Sequence, residues 1–276
     1  MPYVQAGDVR LNYIEQGSGD EPVVFIHGYT GSLRDWEETF ARLPSSIRAI
    51  AIDLRGAGES DRPGHGYTLQ QYAEDVHHAT RALGLDTFTL TGHSMGGGTA
   101  MQFAVTHPER LRRLVLVAPI SSNGTRGMNP EFRAQMKALR HNKDLARQMA
   151  KAFMVRPRTD EQIERGIESN LKWQDDAYDS AADSMGALRI GDQVAALTVP
   201  TLMVVGDRDF LRADNLEDAQ RIPNCALQVF YRTGHMIQQD VADEFVTTLL
   251  DFIANGSGQV VAPADRAKFL QEMVAG

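Results

Sequence analysis

The chain has 276 residues, of which 42% are apolar and 23% charged, with a formal net charge of -8; it can bury one large core and has the composition of neither a disordered tail protein nor a nucleic-acid binder. Its single cysteine, Cys225, cannot close an internal disulfide and fits a reducing compartment. The first ten residues lack a basic region followed by an apolar core, and no apolar run approaches the ~18 residues of a membrane helix, so a cytoplasmic protein without a membrane span is expected.

Residues 2–16 alternate around Gly7 and Asp8, with Val9, Leu11 and Tyr13 on one side, and read as a hairpin. Val23 to Ile26 is a short apolar strand of the kind buried on both faces, and it ends in His27-Gly28-Tyr29-Thr30-Gly31-Ser32. Ser32 suits the N-cap of a helix carrying Leu33, Trp36 and Phe40 on one face. Arg48 to Asp53 is a second buried strand, closed by Leu54-Arg55-Gly56-Ala57-Gly58-Glu59-Ser60, where Asp53 and Arg55 are expected to brace the loop. Thr68 and Gln71 have capping-box spacing for a helix that stops near Gly84.

The run from Thr87 to Gly98 passes from an alternating strand through Gly92-His93-Ser94-Met95-Gly96 into a helical pattern. This is G-x-S-x-G in a strand-turn-helix setting, which lifts the serine hydroxyl over the sheet at a helix start, where unpaired N–H groups favour negative charge. Arg113 to Ala118 is the next strand. Strands alternating with helices imply a mostly parallel sheet with right-handed crossovers and helices on both faces, an α/β fold.

From Ile120 to about Leu197 the alternation stops and helices follow one another: Phe132, Met136 and Leu139 after Asn129-Pro130, then Leu145, Met149 and Phe153, then Ile163, Ile167 and Leu171 behind a Thr159/Gln162 capping box, then Tyr178, Ala181, Met185 and Leu188. Afterwards come a strand from Val199 to Val205, a loop Gly206-Asp207-Arg208-Asp209, a helix from Leu216 to Ile222, a strand from Leu227 to Tyr231 and a helix from Phe245 to Ile253. The expected divisions are a core of residues 1–120 and 198–254, an inserted helical unit at 121–197 and a tail at 255–276.

A serine is a poor nucleophile unless a base takes its proton and an acid orients that base. The loops after the last two strands offer both: Asp207 and Asp209 in one, His235 in the other, at the strand ends where open α/β sheets gather their sites. His27 and His93 are expected to make structural hydrogen bonds, and the remaining histidines lack metal-ligand spacing, so no metal is expected. Gly56-Ala57-Gly58 is no phosphate loop, since the lysine and Ser/Thr of that motif are missing. Arg133, Arg140 and Arg147 recur every seven residues, as a solvated helix face or an acid-binding patch.

On His27-Gly28, the loop from Asp53 to Ser60, Gly92 to Gly97, Val199-Pro200-Thr201-Leu202 with Gly206 to Asp209, and Gly234-His235, the chain resembles the α/β-hydrolase superfamily from the first hairpin to about Ile253. The order Ser, Asp, His is the one that fold uses. The resemblance implies Ser94 as nucleophile, His235 as base and Asp209, the last residue of Gly-x-x-Asp, as acid. It implies an oxyanion hole from the backbone N–H groups of Tyr29 and Met95, and it makes the inserted helices a cap after the sixth strand. Tyr29, Met128, Phe132, Phe153, Trp173 and Met236 are candidate substrate contacts in a methionine- and aromatic-rich pocket. The implied activity is cofactor-free hydrolysis of a carboxylic ester, lactone or similar acyl bond of a small, partly apolar molecule, by a monomer or homodimer. Carbon–carbon bond hydrolysis or a lyase or synthase step on the same triad is the alternative, followed by a slow-turnover ligand receptor; a dehalogenase or epoxide hydrolase is disfavoured because those relatives carry aspartate at the position of Ser94.

Overall fold

The computed structural model describes residues 2–125 and 130–256. The hairpin at the start is β1 (Tyr3–Ala6) and β2 (Val9–Gln16), paired antiparallel with Ala6 opposite Val9. β3 (Val23–Ile26) follows, then a single 3-10 turn (Leu33–Trp36) leading into α1 (Glu37–Phe40), and β4 (Ala49–Ile52). The spacing of Leu33, Trp36 and Phe40 predicts one α-helix there. Two competing acceptors account for the tighter first turn: Ser32 Oγ takes the Arg34 N–H at 3.3 Å and the Asp53 carboxylate takes the Leu33 N–H at 2.7 Å.

Next are α2 (Leu69–Ala82), β5 (Phe88–His93), α3 (Met95–Thr106) and β6 (Leu111–Val117). Between β6 and β7 (Thr201–Gly206) the described residues form α4 (Pro130–Arg140), α5 (Lys143–Phe153), α6 (Asp160–Leu171), α7 (Asp175–Ala187) and α8 (Gly191–Val194), the last being a short turn without its own apolar period. The chain continues with α9 (Arg212–Arg221), β8 (Cys225–Phe230), α10 (Ile237–Asp240) and α11 (Ala242–Asn255). No helix among the described residues is long and apolar enough to cross a membrane.

The strands form one eight-stranded sheet ordered β1-β2-β4-β3-β5-β6-β7-β8, with β3 through β8 parallel and the opening hairpin antiparallel. Strand alternation divides the core between its two faces. In β3, Val24 and Ile26 face one apolar cluster while Val23 and Phe25 face the other, and all four are fully buried. That is why the run is continuous rather than alternating. Phe25 packs its ring 5.1 Å from Trp36 and 5.4 Å from Phe40, so even the split helix covers the sheet.

Capping chemistry follows the spacing only in part. At α6 the box is complete, with Thr159 Oγ1 accepting from Gln162 N and Gln162 Oε1 accepting from Thr159 N. At α2 only Thr68 does its half, because Gln71 gives its amide to Asp75 at 3.1 Å. In α5 the expected face is turned by one position: Ala146 is buried beside Ile163 and Ile167, whereas Leu145 is 38% exposed. The arginines spaced by seven are neither free face nor acid patch. Arg133 pairs with Asp183, Arg140 with Asp175 and Arg147 with Glu164, joining α4 to α7 and α5 to α6.

Loop bracing near the sheet matches expectation. Asp53 accepts from Asn12 Nδ2 and from the backbone N–H groups of Leu33 and Glu59, and Arg55, almost fully buried, forks onto Asp75 and reaches Asp8. These contacts stiffen the loop after β4 beside the site.

Candidate active site

Four parallel strands deliver the predicted residues from their carboxyl ends: β3 leads to Gly28 and Tyr29, β5 to Ser94, β7 to Asp209 and β8 to His235. Ser94 is the pivot between β5 and α3. Its backbone stands at φ 53° and ψ -114°, left-handed geometry that is costly for a residue with a Cβ. The turn holds because Ser94 N donates to Val117 O at 2.9 Å while Ser94 O accepts from Gly98 N and Ile120 N. Close passage also demands glycine on either side. A Cβ on Gly92 would come 2.2 Å from Gly96 O, and one on Gly96 would come 2.4 Å from His27 O.

The side chains then meet in a line. His235 Nε2 lies 2.9 Å from Ser94 Oγ, and His235 Nδ1 lies 3.0 Å from Asp209 Oδ2. Because a carboxylate only accepts, Nδ1 carries the proton and Nε2 is left to accept from the serine hydroxyl. The Asp209 carboxylate is fully buried and also accepts from Leu211 N at 2.9 Å, which fixes its plane. Asp207, the other acid of the loop, turns away: its Oδ1 accepts from Thr233 N at 3.1 Å and ties the β7 loop to the β8 loop.

Two further histidines frame the line, both buried and both shifted toward the neutral form by that burial. His27 Nδ1 donates to Gly28 O at 2.8 Å and its Nε2 accepts from Leu54 N at 3.1 Å. His93 Nε2 donates to the backbone oxygen of His235 at 3.0 Å. The structural hydrogen bonds expected of the pair are therefore present.

The loop after β3 lies against the Ser94 turn, since a Cβ on Gly28 would sit 3.1 Å from Ser94 Cβ. Met95 opens α3, so its N–H is one of the first-turn donors that a helix leaves without an internal partner. Tyr29 is half-buried. Its hydroxyl donates to Tyr178 O at 2.8 Å and its ring packs against Trp173 and Tyr178, and burial raises its pKa.

Of the candidate substrate contacts, Trp173 is placed differently from expectation. It is 1% exposed, with its indole N–H donating to Gly31 O at 2.9 Å, so it clamps the loop that carries Tyr29 and has no surface left for a ligand. Met236, directly after His235, is partly exposed. Met128 lies outside the described residues, as do the side chains of Phe132 and Phe153, whose backbones belong to α4 and α5. The charged and turn-like sequence around Asp209 conceals another neighbour: Phe210, 78% exposed, has its ring centre 4.8 Å from that of His235.

The profile of the α/β hydrolase fold family matches residues 21–153. Over 284 residues the chain is 30% identical to 2-hydroxymuconate semialdehyde hydrolase from Pseudomonas sp. (strain CF600), covering 93% of this chain and 95% of that one. The chain belongs to the α/β-hydrolase family. It is also 27% identical to the dihydrolipoyllysine-residue acetyltransferase component of the acetoin cleaving system of Cupriavidus necator, over 88% of this chain but only 66% of that longer protein. Among solved structures, Est816, described as an N-acyl homoserine lactone degrading enzyme, superposes with a TM-score of 0.76 at 29% identity, covering 91% of this chain and all of that one. As an α/β-hydrolase the chain is an enzyme, and the eight-stranded sheet is the one its family uses.

Proposed function

We propose that this enzyme is a cofactor-independent serine hydrolase that cleaves a carboxylic ester or lactone of a small, partly apolar molecule through an acyl-enzyme. The observation that carries the reading is the continuous hydrogen-bonded line from Asp209 through His235 to Ser94, with contacts of 3.0 and 2.9 Å. Ser94 Oγ attacks the carbonyl carbon as His235 Nε2 takes its proton, and Asp209 stabilises the imidazolium. The carbonyl oxygen becomes an oxyanion held by the Tyr29 and Met95 N–H groups, each such donor being worth about 2.7–4 kcal/mol in the transition state. His235 then returns the proton to the leaving oxygen, the bond to it breaks, and the acyl group stays on Ser94. Water repeats the sequence and releases the acid. In this reading α4 to α8, within residues 121–197, are the cap over a core of residues 1–120 and 198–254, and the enzyme works in the cytoplasm.

The similarity to a 2-hydroxymuconate semialdehyde hydrolase favours a second reading, carbon–carbon bond hydrolysis on the same three side chains. One experiment separates the two: intact-mass analysis after a fluorophosphonate probe, beside turnover of p-nitrophenyl esters from short to long acyl chains. Labelling that is lost in Ser94→Ala, together with rapid ester turnover, supports the first reading. Labelling without ester turnover moves the assignment to carbon–carbon substrates, and absence of labelling overturns the nucleophile itself.

A further inference from the structure

The β7 loop contains one residue that folding does not explain. Phe210 is 78% exposed although it sits between the buried Asp209 and the buried Leu211. A large aromatic side chain left in water gains little for stability, since stabilisation scales with the apolar area removed from water. Its placement is specific nonetheless: the ring leans on the His235 imidazole with 4.8 Å between centres and 38° between planes. The ring also forms a wall of an open groove of about 470 Å³, completed by Asp207, Arg208, Asp209, Arg212, Ala213 and Leu216.

The chemistry of acyl transfer gives that groove a direction. The oxyanion must face the Tyr29 and Met95 amides, and the leaving oxygen must face His235 Nε2, because it receives the proton held there. Whatever is attached to the leaving oxygen therefore lies beside the imidazole, which Phe210 flanks. We propose that Phe210 and its groove form a leaving-group subsite that prefers esters of aromatic alcohols, an inference that rests on the hydrolase reading above. The Phe210 ring offers a flat wall for offset or edge-on stacking, Ala213 and Leu216 add apolar surface, and Arg212 supplies a cation that ring faces attract, Arg208 being paired with Asp207 at 3.6 Å. An aliphatic group of equal size fills the same volume without the stacking contribution. Stacked pairs typically add a factor of about two to ten.

The test uses benzyl and cyclohexylmethyl esters of one acyl group, whose alcohols are similar in size and in leaving ability. The wild-type enzyme is expected to favour the benzyl ester by about three- to ten-fold in kcat/KM. Phe210→Leu keeps an apolar wall, so the ratio should fall to about one, and Phe210→Trp should restore it. In parallel, saturation-transfer NMR on the Ser94→Ala protein should show contact with benzyl alcohol that Phe210→Leu removes. Ester turnover with a ratio indifferent to Phe210→Leu overturns the subsite and leaves the hydrolase reading standing. Absence of ester turnover with Phe210-dependent contact of benzyl alcohol overturns the hydrolase reading and keeps the subsite. Absence of both overturns the two together.

Discussion

The imidazole of His93 donates across 3.0 Å to the main-chain oxygen of His235, so the residue that precedes Ser94 is tied to the residue that faces it. One side chain thereby sets the separation of β5 and the β8 loop at the point where the serine-to-histidine contact is made. Since a carbonyl only accepts, the bond requires the proton on Nε2, and the burial that keeps His93 neutral leaves Nδ1 bare.

His93→Phe retains an aromatic of similar breadth and removes the donor. We expect kcat on an ester to fall by about ten-fold, the size of one neutral hydrogen bond expressed in a barrier, with KM little changed. His93→Gln, which can still donate, should recover most of the loss. Equal kcat in wild type and His93→Phe would reduce this contact to packing.

Ser94 supports two opposite expectations from one position. Ser94→Ala should lower activity by about 10⁶-fold, as loss of a triad nucleophile does. Ser94→Gly should be equally inactive yet more stable, because glycine relieves a left-handed backbone at φ 53° that costs about 1–3 kcal/mol. Thermal unfolding of the two inactive variants measures the strain directly, and a Ser94→Gly protein that melts below Ser94→Ala would show that none is stored.

Asp209→Asn and Asp207→Asn differ by one atom each from the native side chains. The first leaves His235 facing an amide that can donate as well as accept, which disturbs the tautomer, and a loss of about 10³–10⁴ in kcat is expected. The second still presents an oxygen to Thr233 N and should cost less than about ten-fold. Kinetics of the pair decide between the two acids, and a larger loss from Asp207→Asn would exchange their roles.

The separation of these acids also marks what sequence can and cannot show. Both stand in one short turn after a buried strand, so periodicity treats them alike; family resemblance selects Asp209, and the physical distinction comes only from Thr233 on the next loop capturing Asp207. The turn at Ser94 was legible because its causes are local: a strand, two glycines that admit passing backbone, and a helix start. Trp173 was not, since an aromatic among helices looks the same whether it lines a pocket or donates to Gly31 O. Leu145 was misplaced by one step of the helix because Ala146 is too small to register as a core residue in a pattern count. Phe210 and the His93 bond depend on how loops from β5, β7 and β8 dock, which no spacing encodes.

Asp35 offers a pH dependence whose sign can be worked out. It is buried beneath the loop carrying Gly31, and burial, reinforced by the neighbouring Asp53 carboxylate, pushes its pKa up to about 7 despite a backbone hydrogen bond with Ser32. Between the ordinary carboxylate range near 3.8 and about 7, the folded protein holds a proton that the unfolded chain has released. Stability from this group is therefore complete at low pH and drains as pH rises through that window, by about 1.4 kcal/mol per unit at most. Asp35→Asn is neutral at every pH and cannot drain. The difference in Tm between Asp35→Asn and wild type should be near zero at pH 4, grow steadily to about pH 7 and then level off, at roughly 5 °C or more in favour of the variant. A difference that stays constant from pH 4 to pH 8 would mean that Asp35 ionises in the folded enzyme as freely as in water.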